Sequence, residues 1–230
     1  MRMTKPAVHD QSTAELILGA AEAQFSRFGF SKVTMEEIAG QAGLGKASLY
    51  YYHATKEELF QAVVGRKYAE FERRIERLLA ADGSVPSRIR SYVEERFRFF
   101  STLLNLYIID FQAVPKNRPI LQNLFRTYAQ RELDWLTQLF GEGKHQKAFA
   151  IQSAEKTAEV FLHIQQGLRL RYLRANESSF TRSDPGEVLR EQLAVTDIFL
   201  RGIDRAGAEG GCAGSVNGKR ENSKTRRQLQ

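Results

Sequence analysis

Apolar residues between positions 13 and 28 recur at helical spacing, with Leu16, Ile17, Ala20, Ala21, Phe25 and Phe28 on one stripe. The spacing predicts a helix over Thr13–Phe28, ended by Gly29. Ser12 followed by Glu15, Thr34 by Glu37 and Thr55 by Glu58 each have the form in which a hydroxyl and a carboxylate satisfy the first amides of a helix. These starts predict short, packed helices in the first sixty residues. From Lys56 the helical pattern runs on to a break at Gly83, which reads as a long connecting helix. Amphipathic helices are then expected at about 86–104, 105–113, 117–141, 153–175 and 185–206, separated by "AVPKNRP", "GEGKHQKAF" and "ESSFTRSDPG". After Arg205 large apolar residues almost vanish and Gly, Ser, Asn, Lys and Arg take over, the composition of a disordered tail.

The window that begins at Met35 fits two short helices meeting at a sharp angle. Ala39 is small enough for close helix approach, and Gly43 can take the left-handed conformation that turns the chain. Ile38, Ala42, Leu44, Leu49 and Tyr52 fall at positions that face inward, and Thr34 caps the first helix. This is a helix-turn-helix pattern, whose second helix, about Lys46 to Tyr52, would enter the major groove of DNA. Residues three and four apart share a helix face, so Ala47, Tyr50 and Tyr51 lie opposite Leu49 and Tyr52. Two of three consecutive tyrosines therefore face outward, where a hydroxyl can bond a phosphate oxygen while the ring packs on sugar or a thymine methyl. Lys46 can reach a base edge or a phosphate, and Ala47 permits close approach. Thr34 and Lys56 stand at helix starts, where amides and the positive dipole end favour phosphate oxygens.

The stretch "GKASLYYYHATKEELF" resembles the TetR family of transcriptional regulators over about Thr13 to Phe60, and more generally in architecture over Val63 to Arg205. His53 departs from the family pattern, which usually has an apolar aromatic there. The resemblance implies DNA contacts by Thr34, Lys46, Ala47, Ser48, Tyr50, Tyr51 and Lys56. It also implies a C-terminal domain that holds an effector and dimerises through its last two long helices. Expected regions are an N-terminal arm over 1–12, a helix-turn-helix domain over 13–60 with its connecting helix reaching about 82, an effector-binding and dimerisation domain over 83–205, and a basic tail over 206–230. The fold class is all-α.

Composition agrees with that class: there are 5 prolines among 230 residues, and Leu, Ala, Glu and Arg, good helix formers, are abundant. The net charge of +7 invites a nucleic-acid partner. Its distribution tempers this, since residues 1–60 carry −1 and residues 205–230 carry +4, so the tail either adds phosphate contacts or solubilises the chain. No apolar run approaches the roughly 20 residues that span a bilayer, and no apolar signal segment opens the chain; a cytoplasmic, nucleoid-associated protein is expected. Cys212 has no partner cysteine. His9, His53, His145 and His163 lack metal-ligand spacing, no glycine-rich phosphate loop follows a strand, and neither a cofactor nor catalysis is expected.

Aromatic residues crowd the C-terminal half beyond the needs of a DNA-binding unit. Phe97, Phe100, Phe111, Tyr128, Trp135, Phe161, Ile164 and Leu168 are candidates to line an effector pocket, although helical stripes of this kind also build plain core. Arg96, Asp110, His163 and Gln166 are polar residues beside those stripes, suited to a ligand head group, the surface or a dimer interface. The expected function is a homodimeric repressor of a pseudo-palindromic operator, released by a hydrophobic or amphipathic small molecule. A helical adaptor or ligand-binding protein without operator recognition is the alternative.

Overall fold

The structure, a computed structural model, describes residues 7–107, 118–178 and 184–205. These form eight helices: α1 Ala7–Phe28, α2 Met35–Gln41, α3 Lys46–Tyr52, α4 Lys56–Leu79, α5 Val85–Tyr107, α6 Arg118–His145, α7 Ala154–Ser178 and α8 Pro185–Ile203. The first three pack with the start of α4 as an N-terminal unit; α5 to α8 form a C-terminal helical domain, and α4 packs on both. The all-α expectation holds. Phe111, Asp110, Cys212 and the tail over 206–230 lie outside the described residues.

Helix α1 begins at Ala7, six residues before the expected start. No proline or glycine interrupts residues 7–12, so the helix continues through Ser12 and leaves that hydroxyl no first-turn amide to cap. Its buried stripe is Ile17, Ala20, Ala21 and Phe25. Leu16 and Phe28, expected on the same stripe, stand exposed: Leu16 is turned about 100° from Ile17, and beyond the turn at Gly29 it is Phe30 that enters the core. The Phe30 ring lies 5.6 Å from Phe25 and 5.0 Å from Phe60, closing α1 onto α4.

The other two caps form. Thr34 and Glu37 make a complete capping box on α2. At α4 the Thr55 hydroxyl accepts from the Glu58 amide at 3.1 Å, while the Glu58 carboxylate reaches one residue further back, to the amide of Ala54. The turn after α2 is closed by two bonds, from the Gly43 amide to the Gly40 carbonyl and from the Leu44 amide to the Ala39 carbonyl. The second needs Gly43 at φ +68°, the left-handed region open to glycine.

The C-terminal domain departs from the expected segmentation in two places. Residues 86–104 and the start of 105–113 form one helix, because nothing in "FFSTLLNLY" breaks it. Likewise α6 runs through Gly141 and Gly143 to His145. A Cβ at position 143 would lie 2.3 Å from the Phe149 ring, so glycine is what lets that ring fold back over the helix end. Helix α4 is anchored to both α5 and α6 by its rings: Tyr68 stacks on Tyr128 at 3.5 Å, and Phe71 stacks on Phe99 at 4.8 Å and meets Trp135 edge-on at 5.7 Å. No helix among the described residues is long and apolar enough to cross a membrane.

Candidate nucleic-acid interface

Helix α3 hangs on a single fully buried side chain, Leu49, with Tyr52 half-buried beside it. The rest of its surface is turned outward. Lys46, Ala47 and Ser48 are exposed, Tyr50 is 40% exposed and Tyr51 81%. An 81% exposed tyrosine gains little from packing in the free protein, so its area is available to a partner. Its ring is steadied only from one side, by an edge contact to Tyr52 at 5.4 Å. Five of the seven residues expected to meet DNA thus share one exposed helix.

The remaining two are engaged internally. The Thr34 hydroxyl accepts from the Glu37 amide at 3.2 Å and donates to the Glu37 carboxylate at 2.9 Å, while that carboxylate also accepts the Thr34 amide at 2.8 Å. These backbone and hydroxyl bonds hold the Glu37 carboxyl below its usual range, so a negative charge already caps the start of α2. Lys56 turns its ammonium toward the loop before α2, donating to the carbonyls of Phe30 at 2.9 Å and Val33 at 2.8 Å, and sits 4.6 Å over the Phe30 ring.

Acidic side chains of the near-neutral N-terminal unit are partly answered by cations of α4. Glu15 and Glu22 of α1 pair with Arg66, and Glu22 also with Lys67, on α4. Glu36 instead pairs with Lys46 at the start of α3, so one carboxylate stands on the recognition side. The hydrogen bond to Lys46 lowers the Glu36 carboxyl, and the same bond raises the Lys46 ammonium. That pair is exposed and worth little by itself; a phosphate can compete for the lysine.

His53 follows α3 as its C-terminal cap residue, half-buried. Burial pulls its imidazole below the ordinary histidine range, with the Glu58 carboxylate opposing more weakly. The folded domain therefore binds this proton less readily than the unfolded chain. The stability due to the neutral ring is fully present above the unfolded value of about 6.5 and is lost as pH falls through it toward the folded value. Melting temperatures of the protein measured from pH 7.5 to 5.0 are expected to fall toward acid, and His53→Phe is expected to flatten that fall. Equal slopes in the two proteins would remove His53 from the account.

The seven candidate pocket residues that lie among the described residues are not brought to one place. Phe97 and Phe100 line a narrow crevice with Arg96, Ser101, Arg169, Val188 and Gln192. Tyr128 and Trp135 are buried against the α4 rings. Phe161 is fully buried between Phe140 and Phe199, and Ile164 and Leu168 are half-buried. Arg96 is not a surface residue: it is 2% exposed and its Nε donates to Glu132 at 2.5 Å, on the oxygen that also accepts the Tyr92 hydroxyl at 2.7 Å. Burial, then the charge of Glu132, pushes the Tyr92 hydroxyl well above its usual range. His163 is exposed and Gln166 half-buried. Sequence reasoning missed Glu132, yet a signal was present: a carboxylate one helical turn from both Tyr128 and Trp135 sits in an apolar stripe, where it needs a cation.

A capped two-helix turn with an outward second helix, set on a helical C-terminal domain, defines a helix-turn-helix transcriptional regulator. Comparison with known proteins agrees. The profile of the bacterial regulatory proteins of the tetR family matches residues 17–63. The HTH-type transcriptional repressor NemR of Escherichia coli K12 is 30% identical over 99 residues, 43% of this chain and 49% of that protein. An uncharacterized HTH-type transcriptional regulator of Bacillus subtilis, YfiR, is 24% identical over 69% of this chain and 78% of its own length. Among solved structures, a transcriptional regulator from Cytophaga hutchinsonii superposes with a TM-score of 0.76 at 30% identity, over 83% of this chain and 97% of that one. The chain belongs to the tetR family and is a DNA-binding transcriptional regulator.

Proposed function

We propose that the protein is a repressor that binds a pseudo-palindromic operator as a homodimer and is released by a small hydrophobic or amphipathic molecule. The observation that carries the DNA contact is α3, with Leu49 buried and Lys46, Ala47, Ser48, Tyr50 and Tyr51 outward. These five would meet bases and phosphates in the major groove. Thr34 and Lys56 would reach phosphates only by giving up the partners described above, so their part is chiefly to fix α2 and α4 in place.

The dimer reading rests on α7 and α8. Val160 is 51% exposed and Ile198 69% exposed, and they share outward faces with small residues, Gly167 on α7 and Ala194 and Gly202 on α8. Two such faces brought together around a twofold axis would bury both branched side chains in a four-helix contact. Ile198→Asp is accordingly expected to shift the protein from dimer to monomer in sedimentation velocity. A dimer that persists unchanged would place the contact elsewhere. Release by an effector requires that the ligand bind one conformation better than the other, and α4, packed on both units, is the element positioned to carry that difference.

The test is fluorescence anisotropy on DNA flanking the protein's own gene, with unrelated DNA as competitor and salt varied. Tight binding that resists competitor is expected. Binding that disappears into competitor at moderate salt would favour the adaptor reading, in which α3 no longer reads sequence.

A further inference from the structure

We propose that Glu36 sets the selectivity of DNA binding by holding Lys46 away from phosphates, so that α3 gains little from DNA whose bases it does not match. This rests on the reading of α3 as the DNA-contacting helix and adds a specificity-determining residue to it. Over residues 35–52, the two short helices and their turn, Lys46 is the one cation and the carboxylates are Glu36 and Glu37. Glu37 is committed to the capping box with Thr34. Glu36 has no part in that box; its carboxylate crosses from the first turn of α2 to the Lys46 ammonium at the start of α3.

The lysine is approached from two sides. Besides Glu36 it has the Tyr50 ring, four residues on along α3, with its ammonium 5.7 Å from the ring centroid. The side chains of Lys46 and Glu36 are 62% and 51% exposed, so the pair is no part of the core that seats α2 and α3, which is built from Ile38, Ala39 and Leu49. What the pair does is neutralise the single cation on the surface that α3 presents.

Affinity for DNA of arbitrary sequence comes from cations that displace counterions along the phosphates, whereas sequence is read by contacts to base edges. A lysine held by a carboxylate adds little to the first, and the carboxylate itself repels phosphate. Ala47, Ser48, Tyr50 and Tyr51 are uncharged, so what they gain depends on fit to the bases and not on net charge. The pair therefore lowers the unselective part of the affinity more than the selective part. Lys56, turned toward the carbonyls of Phe30 and Val33, works in the same direction.

The test is a double-mutant cycle in the full-length protein, read as anisotropy on a duplex of scrambled sequence across a range of salt, with thermal melts to show that each variant is folded. Glu36→Gln is expected to bind that duplex about three- to fivefold more tightly than the wild type at low salt, the upper range for an exposed ion pair. Its dependence of log affinity on log salt should steepen by about 1, for one further phosphate neutralised. Lys46→Gln is expected to change little in the wild type, where the lysine is already paired, but to cancel most of the gain in Glu36→Gln. Glu15→Gln makes the same change of charge on α1, beside Arg66, and is expected to give a smaller gain that is independent of Lys46. Three results would each overturn the proposal: a Glu36→Gln gain no larger than that of Glu15→Gln, a gain that survives intact in Lys46→Gln, or equal tightening on flanking DNA that the wild type binds against competitor. If Tyr51→Ala still abolishes binding to that flanking DNA, only the role of Glu36 falls. If Tyr51→Ala and Lys46→Gln leave all DNA binding unchanged in every background, the reading of α3 falls as well.

Discussion

Glu132→Gln is expected to destabilise the fold by about 3–5 kcal/mol, the usual cost of removing one member of a buried ion pair. Glutamine keeps the shape of the side chain and removes only its charge. Arg96 would then remain 2% exposed without the carboxylate it pairs with, and the Tyr92 hydroxyl would lose its charged acceptor. For a chain of this size such a loss lowers the melting temperature by roughly 6–20 °C. The contrast is Glu72→Gln, which breaks a pair with Arg131 whose guanidinium is half in solvent; there the expected change is about 0–1 kcal/mol. Urea unfolding of both variants beside the wild type makes the comparison. If the two cost the same, the buried network is not what holds α5 against α6.

Tyr51→Ala is expected to weaken operator binding about ten- to a hundredfold, corresponding to about 1–3 kcal/mol for a residue that reads bases or seats the helix, without altering stability. The reasoning is one of exposure: a side chain 81% in solvent has almost nothing to lose on truncation except its contact with a partner. Leu49→Ala, by contrast, would empty the one buried anchor of α3 and lower operator affinity by loosening the helix. The two are told apart by circular dichroism melts run beside the anisotropy titration. A Tyr51→Ala protein with wild-type affinity would move the reading face away from α3's second turn.

The parts of the molecule legible in the sequence are those settled by neighbours in the chain. The Thr34–Glu37 box, the left-handed Gly43 and the inward Leu49 all depend on residues within about ten positions, and all stand where their spacing put them. The start of α1 was less legible, because a plausible cap at Ser12 says nothing about whether the helix has already begun. The long apolar stretch at the end of α5 hid its continuity, since a run without polar interruption has no phase to follow. Least accessible were relations across the fold. Glu132 lies 36 residues from Arg96, and no local pattern pairs them; Tyr128, Trp135 and Phe161 have the same stripes whether they pack on neighbours or line a pocket. Lys56 carried two readings, phosphate contact and solvent, and the structure supplies a third through carbonyls some 25 residues earlier.

That third role sets the mechanics of α4. With its first turn fastened to the loop ahead of α2, the 24-residue helix is about 36 Å long at 1.5 Å per residue, and its rings grip the C-terminal domain partway along. It is a lever clamped at its working end. A tilt of about 8° about Phe71, about 22 Å from the first turn, sweeps that turn through about 3 Å, close to one base-pair step along DNA, and the clamp obliges α2 and α3 to travel with it.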